Sequence, residues 1–467
     1  MKRFAALFLL LACLMGLRPA AAQPTTYTVG STTLTLRTLT TGLTTPWELL
    51  WGPDNFLWMT ERGGRISRVD PATGQLLPLL TIPDVVQTGE SGLLGMAITS
   101  TPTAGTTLVF VVYNYADNGV LKEKLVRYNY SGGTLSNPLV LLNGLPAAQV
   151  HSGSRLLLLP DNTLLMTTGD ASNVSLSQNA SSLNGKILRL NFDGSIPVDN
   201  PTAGSAVYTL GHRNPQGLVR ASSGRIYSSE HGASNDDELN LIEVGRNYGW
   251  PNVEGLCNLP AEQNFCQMNN VREPLVTWTP TLAVAGLTYY NHPAIPEWSN
   301  TLLLVSLKAG MLTTLQLNST GTQVTQQANV WAGTYGRLRA ICVSPQGRVY
   351  LTTSNRDGRG NPAATDDRLF VLENQAYTPT AARSARLSTW QPAPNPVPAA
   401  APARISLPAL AGAATWELTD GQGRRVTQGV LAAQQAQLQL PPTAPGLYLL
   451  RLRTARGEEL RARLLRQ

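Results

Sequence analysis

The chain has 467 residues, with 36 Lys plus Arg against 29 Asp plus Glu, 32 Pro, 41 Gly and 42% hydrophobic residues. That length is a prior for roughly three domains and is ample to bury a core, while a charged fraction of 14% without Gly or Ser low complexity excludes long disorder outside short linkers. The formal charge of +7 points towards nucleic acid only until it is divided along the chain: residues 1–22 carry +3, residues 376–467 carry +7, and 23–375 hold 22 basic against 25 acidic residues, so the largest segment is mildly acidic and a nucleic-acid partner loses its support.

The N-terminus, MKRFAALFLLLACLMGLRPAAAQP, opens on Lys2 and Arg3, continues through an apolar run from Phe4 to Leu17 and ends in small residues. This predicts a secretory signal peptide over 1–22, cleaved after Ala22. The run is too short for a transmembrane segment, and no later stretch reaches the ~18 apolar residues one needs. The mature chain is therefore expected to be soluble and exported.

Between 23 and 375 a phrase recurs, in which an apolar strand, a Pro or Gly turn and a second apolar strand end in polar residues. Its copies are PWELLWGPDNFLWMTERGGRISRVD, GLLGMAITSTPTAGTTLVFVVYNY, SRLLLLPDNTLLMTTGD, QGLVRASSGRIYSSEHG, TLLLVSLKAGMLTTLQL and RLRAICVSPQGRVYLTTSN. Six phrases over 353 residues leave room for a four-stranded blade each. The expectation is an all-β chain built on a six-bladed β-propeller, preferred to a sandwich or β-helix because ring closure removes exposed outer edges. Loops from several blades then converge at one end of the channel, where residues distant in sequence meet.

Only four histidines occur, His151, His212, His231 and His292, which argues against a multi-histidine metal site. His151 opens HSGSRLLLLPDNTLLMTTGD and Asp170 closes it, so a strand-turn-strand can return the carboxylate to the imidazole and fix its tautomer. GHRNPQG presents Arg213 and Asn214 on a turn held by Pro215, and Arg supplies a fork of donors for carboxylates or a carbonyl gaining charge. In EHGASNDDELN the consecutive acids Asp236, Asp237 and Glu238, with backbone carbonyls at Gly232 and Ala233, could hold a hard cation such as calcium, although the spacing is not that of an EF-hand. Cys257 and Cys266 lie in a polar loop and either close a small disulfide, as an oxidising compartment allows, or remain two thiols; Cys342, in LRAICVSP, reads as a buried core residue. Lys308 in SLKAG and the pair Arg337 and Arg339 in GRLRAI complete the set. Two residues apart on a strand, the two arginines share a face, which costs energy unless an anion lies between them. Singly each is more often a surface charge, but with Arg213 and Lys308 they imply a polyanionic small molecule.

These segments, together with GESGLLGMA, NGKILRLNFDGSIPVDNP and NDDELNLIEVGRNYGWPN, occur in the order of the soluble PQQ-dependent aldose (glucose) dehydrogenases, which the chain resembles over about residues 40–375. The resemblance implies a six-bladed propeller that binds PQQ and Ca2+, oxidises an aldose at C1 to a lactone and passes electrons to an external acceptor. By it, His151 is the base taking the proton of the anomeric hydroxyl while hydride passes to the quinone C5 carbonyl, Asp170 orients His151, and Arg213 stabilises charge at the quinone oxygens. Asn214, Lys308, Arg337 and Arg339 are implied to bind the cofactor, and the carbonyls of Gly232 and Ala233 the calcium. The chain departs from the family at Ser154, where a second glycine is usual, at Ala233 in place of proline, and at Glu90, where glucose-type members place a substrate-contacting Gln. TWTPTLAVAG, which carries Trp278, also differs, so Glu90 and Trp278 are the candidate substrate residues and glucose need not be the preferred sugar. A non-catalytic propeller for glycans or proteins and a sialidase-like hydrolase are the alternatives; no SxDxGxxW repeat supports the hydrolase.

The tail starts with a Pro- and Ala-rich linker, taken as 376–391, and continues over 392–467 in short strand-like runs spaced by turn residues such as Asp420, Gly421 and Gly446. A small C-terminal β-sandwich is expected. APNPVP, TWELTDGQGRRV, APGLYLLRLRT and a basic last strand resemble the C-terminal sorting domain of the type IX secretion system, which implies the secretion machinery as a partner and a protein that is periplasmic in transit and then extracellular or associated with the outer surface. The bland alternative is a carbohydrate-binding or adhesive module.

Overall fold

The computed structural model describes residues 25–99 and 106–378 and, in the tail, 387–389, 394–399, 402–407, 413–422, 424–432, 435, 437–454 and 459–467. The signal segment 1–22 and most of the linker 376–391 lie outside the described residues. The chain divides into two units, Met1–Ala376 and Tyr377–Gln467.

The first unit is a β-propeller whose described strands form six antiparallel sheets. From the innermost strand outward, the first contains Pro46–Trp51, Leu57–Glu61, Arg65–Val69 and Leu76–Thr81, and the second Leu93–Ile98, Thr107–Asp117, Val120–Ser131 and Thr134–Pro146. The third holds Gly153–Leu158, Thr163–Thr168, Lys186–Asn191 and Val207–Leu210; the fourth Pro215–Arg220, Ile226–Glu230, Asp237–Ile242 and Val276–Trp278; the fifth Val284–Tyr290, Thr301–Ser306, Leu312–Leu317 and Val324–Trp331. The sixth joins Leu338–Val343, Val349–Thr353 and Leu369–Glu373 to two strands from the other end of the unit, Thr32–Thr40 and Thr25–Val29. Leu36 pairs with Leu372 in that junction, so the first strands of the unit finish its last sheet.

Each innermost strand contacts the next, and the sixth returns to the first. Strand alternation explains the packing. In Thr163–Thr168, Leu164 and Met166 pack against Phe110 and Val112 of the second sheet, while Leu165 faces the fourth sheet with Leu218 and Ile226. Six apolar clusters of this kind occupy the six gaps between neighbouring sheets. Cys342 sits in one of them, its thiol pKa pushed up by burial. Cys257 and Cys266 form a disulfide, and the stretch expected as a polar loop contains the helix Pro260–Met268.

The tail unit has a five-stranded sheet, ordered Leu387–Thr389, Glu459–Arg466, Gly446–Thr454, Ala414–Asp420 and Arg425–Leu431, and a two-stranded sheet of Ala403–Ser406 and Gln437–Leu440. Ile405, Leu438 and Leu440 of the small sheet share one core with Trp416, Leu418, Leu450 and Leu452 of the large one. Among the described residues no helix is long and apolar enough to cross a membrane.

Candidate functional site

His151 ends the connection between the second and third sheets, and Asp170 follows the second strand of the third. The hairpin between them brings Nδ1 of His151 to 2.8 Å from Oδ1 of Asp170. Gly169 makes the approach possible, since a Cβ there would meet the His151 carbonyl oxygen at 1.8 Å. The Asp170 carboxylate is fully buried and also accepts the Ser172 amide at 2.8 Å and Trp250 Nε1 at 3.0 Å. With its oxygens engaged as acceptors, it accepts the Nδ1–H hydrogen bond of His151 and leaves Nε2 as the basic nitrogen.

His151 lines a pocket of about 390 Å³ with Glu90, Arg213, His231, Gly232, Ala233, Asp237, Lys308, Arg337 and Arg359. Glu230, at the end of its strand, fixes the GHRN turn: it accepts the amides of Arg213 and Asn214 on one oxygen and His212 Nδ1, at 2.8 Å, on the other. The Arg213 guanidinium lies over the Trp250 ring, 5.3 Å from its centroid, and donates to the His231 carbonyl at 3.3 Å. Asn214 Oδ1 accepts the Gly153 amide at 3.1 Å, which ties the turn to the His151 loop. Lys308 donates to Thr281 Oγ1 at 3.1 Å. Burial pulls the pKa of His231 down, against the carboxylates of Asp237 and Glu90, and favours its neutral ring.

Several expected residues are placed differently from the expectation. Arg337 and Arg339 do not stand side by side: Arg337 precedes the strand Leu338–Val343, lines the pocket and pairs with Asp357 at 2.7 Å, whereas Arg339 is buried against Trp47 and bonded to Gln216. A register shift between Leu338 and Ile341 separates their directions. The three acids also part. Asp237 accepts the amides of Gly232, Leu282 and Val284 at 2.9, 2.7 and 3.2 Å; Glu238 bonds Asn240 and the Gly255 amide; Asp236 bonds Thr279. Among the described residues no group of three or more His, Cys, Asp or Glu is arranged to hold a metal. Trp278 is on the outer strand of the fourth sheet, buried between the fourth and fifth sheets with its Nε1 on Gln327, and is not brought to the pocket. Glu90 is brought there, and Arg359 meets it at 2.9 Å.

Sequence reasoning did not single out Trp250, Glu230, Asp357 or Arg359. Trp250 lies inside NYGWPN, which served only as a family marker, and the other three act on Arg213 and Asn214, on Arg337 and on Glu90 from 16 or more residues away, which spacing does not reveal.

A closed propeller with a carboxylate-oriented imidazole facing three pocket cations, Arg213, Lys308 and Arg337, belongs to the class of enzymes that deprotonate a small polar substrate beside a bound anion. The buried Nε of Arg213 and Nδ2 of Asn214 have no hydrogen-bond partner in the protein, and a polyanionic cofactor rich in acceptors fits donors of this kind. A family model for glucose/sorbosone dehydrogenases matches residues 43–362. The chain is 33% identical over 426 residues to quinoprotein glucose dehydrogenase B of Acinetobacter calcoaceticus, covering 72% of this chain and 88% of that protein. It is 27% identical over 344 residues to aldose sugar dehydrogenase YliI of Escherichia coli, covering 70% and 91%. The PQQ-bound aldose sugar dehydrogenase of Streptomyces coelicolor superposes with a TM-score of 0.64 at 34% identity, covering 73% of this chain and 98% of that one. The chain belongs to the glucose/sorbosone dehydrogenase family and is a PQQ-dependent sugar oxidoreductase.

Proposed function

We propose that the protein is an exported aldose dehydrogenase that uses PQQ with Ca2+, oxidises aldoses at C1 to lactones and passes the electrons to an external acceptor. The observation that carries the reading is the His151–Asp170 pair at the wall of a pocket that also holds Arg213, Lys308 and Arg337. When bound, PQQ supplies the two-electron acceptor for hydride from the sugar carbon, and calcium polarises its carbonyl. His151 takes the proton of the C1 hydroxyl at Nε2, and Asp170 stabilises the imidazolium that forms. Arg213, Asn214, Lys308 and Arg337 hold the carboxylates and polar edge of the cofactor; Arg339 acts from behind, through Gln216, which bonds Asn214 at 3.0 Å. Gly232 and Ala233 would offer calcium their carbonyls, because Asp237 fixes their loop through the Gly232 amide. The cyclic contacts of the inner strands support six blades, and the two sheets of the tail with one shared core support a sandwich. Export through the signal peptide, with the tail as a type IX sorting domain, completes the reading.

The test is reconstitution with PQQ and calcium followed by aldose-dependent dye reduction. His151→Gln should lower kcat by about 10²–10⁴-fold while PQQ binding persists. Full activity in that variant, or no activity of the parent enzyme with any aldose, overturns the mechanism.

A further inference from the structure

Beyond the residues assigned above, the pocket holds one more ion pair, Glu90 with Arg359 at 2.9 Å. Its two halves are unequal. Glu90 sits on a pinned turn: Arg62 donates to the carbonyls of Gly89 and Ser91, the Glu90 amide bonds the Gln149 carbonyl, and Ser91 Oγ bonds the Ala148 carbonyl at 2.8 Å. A Cβ at Gly89, whose φ is +55°, would meet the Gln149 oxygen at 2.4 Å, so this turn is packed directly on the chain leading into His151. Glu90 Oε2 lies 3.5 Å from the His151 amide, and only 21% of the Glu90 side chain is exposed. Arg359, by contrast, is 59% exposed and stands between Gly358, which has open space around it at φ +90°, and Gly360. The negative charge is built in and the positive one is exchangeable. Burial raises the Glu90 carboxyl, but the positive charge around it, that of the Arg359 and Arg339 guanidiniums included, outweighs it and holds the group below the usual carboxylate range, so it stays ionised.

We propose that Glu90 is a charge-selecting substrate residue, whose fixed carboxylate accepts the ammonium of an amino-substituted aldose in exchange for the Arg359 guanidinium and repels aldoses that carry a carboxylate. The proposal rests on the dehydrogenase reading and narrows its substrate class. Arg213, Lys308 and Arg337 are occupied by the cofactor in that reading, and the pocket's other carboxylate, Asp237, is taken up by three backbone amides, which leaves this pair as the charge open to a sugar beside His151. A neutral amide at position 90 discriminates little by charge, whereas a fixed anion lowers the affinity of one charge class and raises that of the other.

The experiment measures kcat/KM of the PQQ- and calcium-loaded full chain for glucosamine, glucose and glucuronate, below the pKa of the amine, in the parent enzyme, Glu90→Gln and Arg359→Gln. The parent enzyme should favour glucosamine over glucuronate at least tenfold, Glu90→Gln should reduce that ratio tenfold or more, and Arg359→Gln should raise glucosamine relative to glucose because no guanidinium has to be displaced. A ratio in Glu90→Gln within twofold of the parent overturns the proposal, as does a glucuronate preference that Arg359→Gln abolishes. Calorimetric binding of glucosamine and glucuronate to the loaded His151→Gln protein reads the same preference without turnover. Loss of the dehydrogenase reading then shows as absent turnover with the binding preference intact, and loss of charge selection as equal binding of the two sugars.

Discussion

His151 and Ser154 both adopt the left-handed backbone region, at φ +64° and +71°, which L-residues resist at a cost of about 1 kcal/mol or more each. Ser154 replaces a glycine usual in the resembling family, and its side chain compensates: Oγ donates to Glu123 Oε2 at 2.9 Å, deep under the His151 loop. Asn114 Nδ2 approaches the same oxygen at 3.5 Å and Ser152 Oγ at 3.4 Å, so a buried polar network braces the turn that carries the base. Glu123 has no cation beside it among its bonded partners, and burial pushes its carboxyl up to about 8 against the pull of Ser154 and Asn114. The folded value lies above the unfolded one, near 4.5, so the native state keeps a proton that the unfolded chain releases. Its stabilising contribution is complete below about 4.5, is lost as pH rises towards about 8, and does not change further above that. Glu123→Gln, which mimics the protonated acid, should therefore gain stability relative to the parent across that window, by a few kcal/mol in urea denaturation, and keep its kcat. Parallel stability profiles for the two proteins would show that Glu123 carries no such proton.

At the scale of elements, the connection from Glu230 to Asp237 depends on one carboxylate. Asp237 joins the Gly232 loop to the Leu282–Val284 entry of the next sheet through three amides, and a Cβ at Gly232 would meet the Asn235 carbonyl at 1.8 Å, so no other residue fits the turn. Asp237→Ala leaves one buried and two partly buried donors unpaired; about 2–4 kcal/mol of stability should be lost, and the affinity for PQQ in the presence of calcium should fall with it. Retention of full PQQ affinity in this variant would separate the loop from cofactor binding. The same region shows where the sequence was legible. The His151–Asp170 hairpin could be read because both residues sit on one strand-turn-strand unit, and the sheets with apolar inner strands announced themselves as apolar runs recurring around a Pro or Gly turn. The fifth sheet was entered one strand late, at Thr301, because its inner strand Val284–Tyr290 begins with small residues, Ala285 and Gly286, that pack against a neighbouring backbone. The split of Asp236, Asp237 and Glu238, and the pairing of Glu90 with Arg359, are set by tertiary contacts that no local pattern encodes.

On the scale of the whole molecule, the pocket draws its residues from Glu90 to Arg359, nearly the full circumference of the ring, while the N-terminal strand Thr32–Thr40 closes the last sheet against Leu369–Glu373. That closure, too, was invisible in the sequence, since its partners lie 329 or more residues apart. Five of the six sheets, or the connections that enter them, supply pocket residues, so a ligand bound there ties most of the ring together. The tail has its own apolar core. Its charge belongs to it as well, +7 over 376–467 against −3 over 23–375, so the basicity of the chain says nothing about the catalytic ring, of whose cations Arg213, Lys308, Arg337 and Arg359 line the pocket. Linkage then predicts a selective effect. PQQ with calcium at about 100 times its Kd adds about 2.7 kcal/mol to the ring, which for a unit of this size raises its Tm by about 4 °C, and the tail's transition should not move. Scanning calorimetry of the full chain with and without PQQ checks this: a shift in both transitions would mean that the two units unfold together, and a shift in neither would mean that the cofactor is not held by the ring.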